Sequence, residues 1–191
     1  MKDEPWMAQF QQLLDKEAIR EVIYRYCRGM DRRDWEVVAS AFHPGAYDDH
    51  GVYRGSATGF IEFSKPRHEH VTMCMHHIGN IIIEFQSSER AMVESYCIGT
   101  HRYAPGNEAA RKAIARSLAK DVDKPLELTM WVRYVDVITK REGEWRIEHR
   151  SVVWEGMRAD VVPEGAPVLG SDWVTARRDR SDPVYTQLPK S

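Results

Sequence analysis

The sequence predicts an α+β fold in which a curved, mostly antiparallel sheet is cupped over N-terminal helices. Three observations carry that prediction. Apolar residues recur at three- and four-residue steps as far as Phe63. From Val71 onward the period changes, and long stretches rich in β-branched and apolar residues follow one another. Helices first and strands later is the order of an α+β domain, and short turns between long strands favour antiparallel pairing.

The elements follow in order. Residues 8–29 read as a helix: Phe10, Leu13, Leu14, Ala18, Val22, Tyr26 and Met30 share one stripe, and Gly29 marks the end region. Asp34 is an N-cap for a short helix from Trp35 to Phe42, which Pro44 stops. Tyr47 to Tyr53 reads as a strand, followed by a turn at Arg54-Gly55. Ser56 caps a third helix carrying Phe60, Ile61 and Phe63, and Pro66 ends it. Val71–Phe85 is a long strand with a bulge expected at Gly79. Ala91–Tyr103, Leu126–Thr139 and Glu144–Trp154 are the other long strands, the last two joined by a hairpin turn at residues 141–144. An insert at about 105–124 interrupts them, with a charged, Ala-rich helix expected over 107–120. Residues 1–155 therefore read as one domain. The tail, 156–191, is rich in Pro, Gly, Arg and Asp and reads as an extension, a lid or a subunit contact.

Composition excludes several classes of function. The net charge of −2 over 191 residues gives no broad attraction to nucleic acid or to an acidic membrane surface. No apolar run reaches about 18 residues, and the N-terminus lacks the apolar core of a signal peptide, so a cytoplasmic protein is expected. Cys27, Cys74 and Cys97 are far apart without a CxxC pair, which suits reduced thiols in a core. No Gly-rich phosphate loop or dinucleotide fingerprint is present, so no nucleotide cofactor is implied. His68-Glu69-His70 follows Pro66 and reads as an exposed loop. With no HExxH, and without the carboxylate and later histidine of a cupin-type set, no metal is expected.

The chemistry-bearing residues are an acid and two imidazoles, each embedded in core-forming sequence. Asp31 ends the first helix. About 45 residues further on, a strand carries His76-His77, and another carries His101-Arg102-Tyr103. Adjacent strand residues face opposite sides, so only one of His76 and His77 can enter a cup. His101 shares a face with Val93 and Cys97, which suits a satisfied core histidine as well as a catalytic one. A carboxylate at a helix end also serves simply as a cap, and Arg150, on a face with Arg146, Glu148 and Trp154, reads by itself as solvated. The inferred pocket, with Trp35, Phe42, Phe60 and Phe63, favours an apolar, aromatic or polycyclic small molecule.

The run Tyr24-x-Tyr26…Met30-Asp31-x-x-Asp34-Trp35, the Gly143-Glu144-Trp145 hairpin and the strand order resemble the SnoaL-like branch of the nuclear transport factor 2-like superfamily, over residues 10–155. Within it the resemblance is greatest to scytalone dehydratase, with hexachlorocyclohexane dehydrochlorinase and bile-acid dehydratase as relatives. The joint occurrence of Asp31, His76 before Ile78-Gly79, and His101 in His-x-Tyr carries it. The resemblance implies a cone-shaped α+β barrel, a cofactor-free lyase, a homotrimer or homodimer, and a catalytic set of Asp31, His76, His101 and Arg150. Substrate contacts are expected from His50 by the same resemblance, and from Tyr26, Trp35, Phe60, Tyr103 and Trp131 as polar or aromatic groups of the inferred pocket. The sequence also departs from the dehydratase: Met30 and His50 stand where it has tyrosines, and Val132 and Tyr134 fall where it has serine and asparagine.

A carboxylate bonded to one imidazole nitrogen fixes the tautomer and leaves the other nitrogen as a base. Such a base next to a leaving group gives elimination of water or another small group. Against a hydroxyl proton two carbons from an electron-accepting centre it gives retro-aldol cleavage. His101 would act as the acid or orient the leaving group, Arg150 would hold developing negative charge, and Tyr26 and Tyr103 would donate to a substrate oxygen. The rivals are a ketosteroid-isomerase-like proton shuttle and a non-catalytic small subunit of a ring-hydroxylating dioxygenase.

Overall fold

A computed structural model describes residues 5–106 and 123–187. Ten elements run in order: α1 (Pro5–Arg32), α2 (Trp35–Ser40), β1 (Phe42–Asp49), β2 (Arg54–Ser56), α3 (Ala57–Glu69), β3 (Val71–Ser87), β4 (Arg90–Tyr103), β5 (Leu126–Arg141), β6 (Glu144–Val161) and α4 (Pro183–Thr186). The expected helix at 107–120 lies outside the described residues.

The fold is α+β. The strands form one sheet in the order β2-β1-β6-β5-β4-β3, antiparallel throughout except for the β1–β6 pair. The sheet stays open, with β2 and β3 as its edges, and α1–α3 fill its concave side. Ile19, Val22, Ile23, Tyr26, Cys27 and Met30 form the buried stripe of α1, at the spacing a half-buried helix needs. They meet Val93, Cys97, Val132, Tyr134 and Ile147 of the sheet. The stripe does not reach back to Phe10, Leu13 and Leu14, which are exposed. No helix among the described residues is long and apolar enough to cross a membrane.

Several boundaries differ from the sequence reading, among them the expected strand at 47–53, which instead spans Phe42–Asp49. α1 runs through Gly29 to Arg32, and Arg33 takes the left-handed conformation (φ 53°) that ends it. The Asp34 N–H bonds the Gly29 carbonyl at 2.9 Å and the Arg33 N–H bonds that of Met30 at 3.4 Å, the paired closure of a Schellman motif. Gly29 instead lets α2 approach, since a Cβ there would lie 2.7 Å from Val38 Cγ2. α2 is only six residues, because Asp34 caps it at Val37 and the chain then turns directly into β1 at Phe42. Pro66 sits inside α3 rather than at its end, and the helix continues to Glu69. β6 likewise outruns Trp154, extending to Val161 against Leu126 of β5.

Candidate active site

The last turn of α1 delivers Asp31 to the inner face of β3. There Asp31 Oδ1 meets His76 Nδ1 at 2.6 Å, and Oδ2 accepts the His76 backbone N–H at 3.2 Å. The Cys74 thiol donates to Oδ1 at 3.4 Å. Both side chains are largely buried. A carboxylate on Nδ1 places the imidazole proton there and leaves Nε2 as the free base. His77, the next residue, faces the opposite side of the sheet.

The cup holds a cavity of about 500 Å³ whose wall includes Tyr26, His50, Phe60, His76, His101 and Tyr103. Its lining is mostly apolar, with Met30, Phe63, Met130, Trp154 and Met157 contributing. Size and lining match a site for a small organic molecule. Gly99 pairs with His76 across β3–β4 and leaves space beside the imidazole.

A second carboxylate–imidazole pair meets the same cavity. Asp48, fully buried on β1, hydrogen-bonds His50 Nδ1. His50 Nε2 lies 3.2 Å from the Tyr26 hydroxyl, and the ring stacks on Phe60 at 4.0 Å. Burial pushes the Tyr26 phenol well above its ordinary pKa, so it keeps its proton. The Tyr26 ring in turn packs edge-on to His76, centroids 6.5 Å apart.

His101 is buried, with Nδ1 3.4 Å from the Tyr103 hydroxyl and Nε2 without a partner among the described residues. Burial, then the neighbouring His76 and His68, hold it well below the usual imidazole range. It is a neutral hydrogen-bonding group in the wall, suited to orienting an oxygen and unsuited to the acid role. Tyr103, raised to about 12 by burial, is likewise a neutral donor.

Three expected site residues lie elsewhere. Arg150 does not reach the cavity. It is fully buried behind Tyr26, donating to both oxygens of Asp136 at 2.8 and 2.7 Å. The register of β5 against β6 shifts between Val137 and Ile138, so Glu148 is skipped in the pairing. One extra residue reverses strand parity, which turns Arg150 inward instead of onto a solvated face. Trp131 points to the outer face, beside His77 and Tyr96, because Met130, Val132 and Tyr134 take the inward positions of β5. Trp35 packs behind the wall, its ring 5.8 Å from that of His68.

His68 itself is the main omission of the sequence reading. It is no exposed loop residue: the continuation of α3 past Pro66 buries it in the cavity wall, its ring 5.3 Å from His101. Phe60, Ile61, Ser64 and His68 are spaced as one helical face, which was the available signal. Cys74, His76 and His101 place three donor atoms within 4.8 Å, a set that could hold a metal.

The profile of the SnoaL-like domain matches residues 11–151, most of the chain. The chain belongs to the SnoaL-like family. No curated protein matches it in sequence. Among solved structures, this SnoaL-like protein is similar to a provisionally assigned scytalone dehydratase from Novosphingobium aromaticivorans. That pair shares 18% identity and a TM-score of 0.64, covering 84% of this chain and 99% of the other. A type 2 hexachlorocyclohexane dehydrochlorinase gives 14% identity and a TM-score of 0.66, covering 83% and 97%. A provisionally assigned aromatic ring hydroxylase from Novosphingobium aromaticivorans gives 17% and 0.61, covering 78% and 94%.

The buried histidines of this SnoaL-like protein set an acid limit on its stability. Burial and the Arg178 charge lower His68 to about 3, and His101 lies well below its ordinary value too. Unfolded histidines titrate near ~6.5. Their contribution is therefore complete above that pH and is lost as the pH falls toward the folded values, with a slope of up to ~1.4 kcal/mol per pH unit for each group. Urea midpoints measured from pH 7 down to pH 5 are expected to fall, and to fall less steeply in His68→Gln. Equal slopes would show that His68 is not held neutral.

Proposed function

We propose that this protein is a cofactor-independent lyase that eliminates water from an apolar, aromatic or polycyclic small molecule. The observation that carries this reading is the meeting of two carboxylate-backed imidazoles, Asp31–His76 and Asp48–His50, at one largely apolar cavity. His76 Nε2 removes a proton from carbon, and Asp31 stabilises the imidazolium that results. A well-placed base of this kind contributes roughly 10²–10⁴-fold.

The second pair bears on the leaving group. Hydroxide leaves badly unless it is protonated as the bond breaks, whereas chloride needs no proton. Asp48 stabilises an imidazolium at His50, which can pass a proton through the Tyr26 hydroxyl to a departing oxygen. The proton taken by His76 and the one given by His50 balance, and exchange with water resets both. The similarity in fold to proteins named as a dehydratase and a dehydrochlorinase supports an elimination.

A panel of hydroxylated bicyclic and polycyclic ketones tests the reading, with loss of one water followed by mass and by the absorbance of the new double bond. At least one member is expected to turn over without added metal or cofactor. His50→Phe and Asp48→Asn are each expected to slow water loss by about 10²-fold or more, while a chloride-bearing analogue of the same substrate slows by less than about fivefold. Failure across the whole panel sinks the lyase reading, and equal losses with both leaving groups sink the role of the second pair.

A further inference from the structure

Arg178 comes from the tail, beyond the stretch matched by the SnoaL-like profile, and reaches the underside of the site. Its guanidinium is almost wholly buried. Nε donates to the Asp31 carbonyl at 3.0 Å. One terminal nitrogen donates to the carbonyls of His68 at 3.2 Å and Val71 at 2.6 Å; the other donates to the Met30 carbonyl at 3.1 Å and to His68 Nδ1 at 2.9 Å. Five N–H groups thus meet five acceptors, the full donor capacity of the side chain. The tail around it is fastened independently. Arg33 donates to the Arg178 carbonyl at 2.9 Å, Arg32 to Asp182 at 3.2 Å, and the Tyr185 hydroxyl to Asp34 at 2.9 Å.

The contact with His68 Nδ1 has a chemical consequence. A guanidinium has no acceptor and stays charged, so Nδ1 must offer its lone pair. The single proton of the neutral ring is then forced onto Nε2. We propose that His68 Nε2–H is an oxyanion-binding donor of the cavity, its tautomer dictated by Arg178 from the C-terminal tail. His68 lines the cavity, and among the described residues the hydrogen bond to its ring is made at Nδ1. His101 Nε2, in the ring next to it, is buried and has no partner among the described residues. These two neighbouring imidazole edges are open to a ligand oxygen.

The ligand chemistry follows from the donor. A neutral imidazole beside a guanidinium resists gaining a proton, since burial and the Arg178 charge hold it at about 3. It suits an oxygen that carries or gains negative charge without being protonated: a phenolate, or a carbonyl oxygen becoming an enolate. His101 bridges the two functions, its ring 5.3 Å from His68 and 5.8 Å from His76. The base therefore works one histidine away from the proposed oxygen site. Arg178 touches no substrate in this scheme and is a positioning residue. The proposal deepens the elimination reading by naming the oxygen that the cavity holds, and rests on that reading only for the enolate case.

The test uses the full chain and needs no turnover. Nitrogen-labelled histidine spectra are expected to show His68 as the Nε2–H tautomer, unchanged between about pH 5 and pH 8. In Arg178→Met the same resonance is expected to become a mixture of tautomers or to titrate in that range, a change that loss of packing alone would not produce. Para-nitrophenolate, followed by its absorbance, is the probe for the oxygen site. Its binding is expected to weaken by about tenfold in His68→Phe, which keeps the ring volume and removes the donor. A wild-type His68 that carries its proton on Nδ1 or titrates near neutrality overturns the proposal, whether or not Arg178→Met folds. So does probe binding in His68→Phe within about twofold of wild type. Failure to eliminate water with both results intact would overturn the lyase reading alone.

Discussion

Asp31→Asn and His76→Ala are each expected to reduce water elimination by about 10²–10⁴-fold while leaving the protein folded. Asparagine keeps the shape of the Asp31 side chain, and its carbonyl can still accept from His76 Nδ1. What it lacks is the charge that stabilises the imidazolium. Its amide can also flip and donate to Nδ1, which would put the proton on Nε2 and remove the base. His76→Ala removes the base outright, so the double variant is expected to be no slower than the slower single one, as for residues that act as a unit. Asp31 lies in the last turn of α1, the end where the helix dipole disfavours a negative charge by ~0.3–1 kcal/mol. Against that small gain, the amide can replace only one of the two oxygens that accept from His76, so Asp31→Asn is expected to lose about 1–3 kcal/mol of stability and still fold. Retained turnover in a folded Asp31→Asn protein would remove the dyad from the mechanism.

Much of this site was readable because helical period and strand parity act over short distances. Met30 in the buried stripe of α1 puts the neighbouring Asp31 near the core, and alternation along β3 admits His76 or His77 but never both. Tyr26, His50, Phe60 and Tyr103, expected as substrate contacts, line the same cavity. The errors fall where one residue of register matters. A bulge at Glu148 reverses the face of Arg150, and no residue type in Arg146–Ser151 announces it. Trp131, expected as a substrate contact, lies outside, where alternation from Tyr134 and Val132 puts it. Pro66 was read as a stop, which hid His68; a proline late in a helix removes one hydrogen bond, and here packing of Phe60, Ile61 and Ser64 carries the helix past it. Arg178 was beyond reach, because its role depends on contacts with residues 30, 31, 68 and 71, set by where the tail returns. The parallel pairing of β1 with β6, and the pairing of β6 with β5, bring Arg150 beside both Asp48 and Asp136, a long-range meeting that local sequence does not encode.

The largest stability effect is expected behind the cavity, at Arg150 and Asp136. Both are fully buried and joined by two hydrogen bonds, and the guanidinium lies between the rings of Tyr26 and Tyr134, 4.2 Å from each centroid. Stacking on two aromatic faces offsets part of the cost of taking the charge out of water. Removing either partner strands the other as a lone buried charge, which costs about 3–5 kcal/mol. Arg150→Met and Asp136→Leu are each expected to lower unfolding free energy by that amount in urea titrations. The double replacement is expected to cost far less than their sum, since it removes both members of the ion pair and strands neither. Catalysis should not follow the same order. Tyr26, which links His50 to the cavity, packs on the Arg150 guanidinium, so the double variant is expected to recover stability without fully recovering water elimination. An Arg150→Met protein as stable as wild type would mean that the pair is not the buried, desolvated unit described. Full activity in the double variant would mean that Tyr26 needs no support from the charge beneath it.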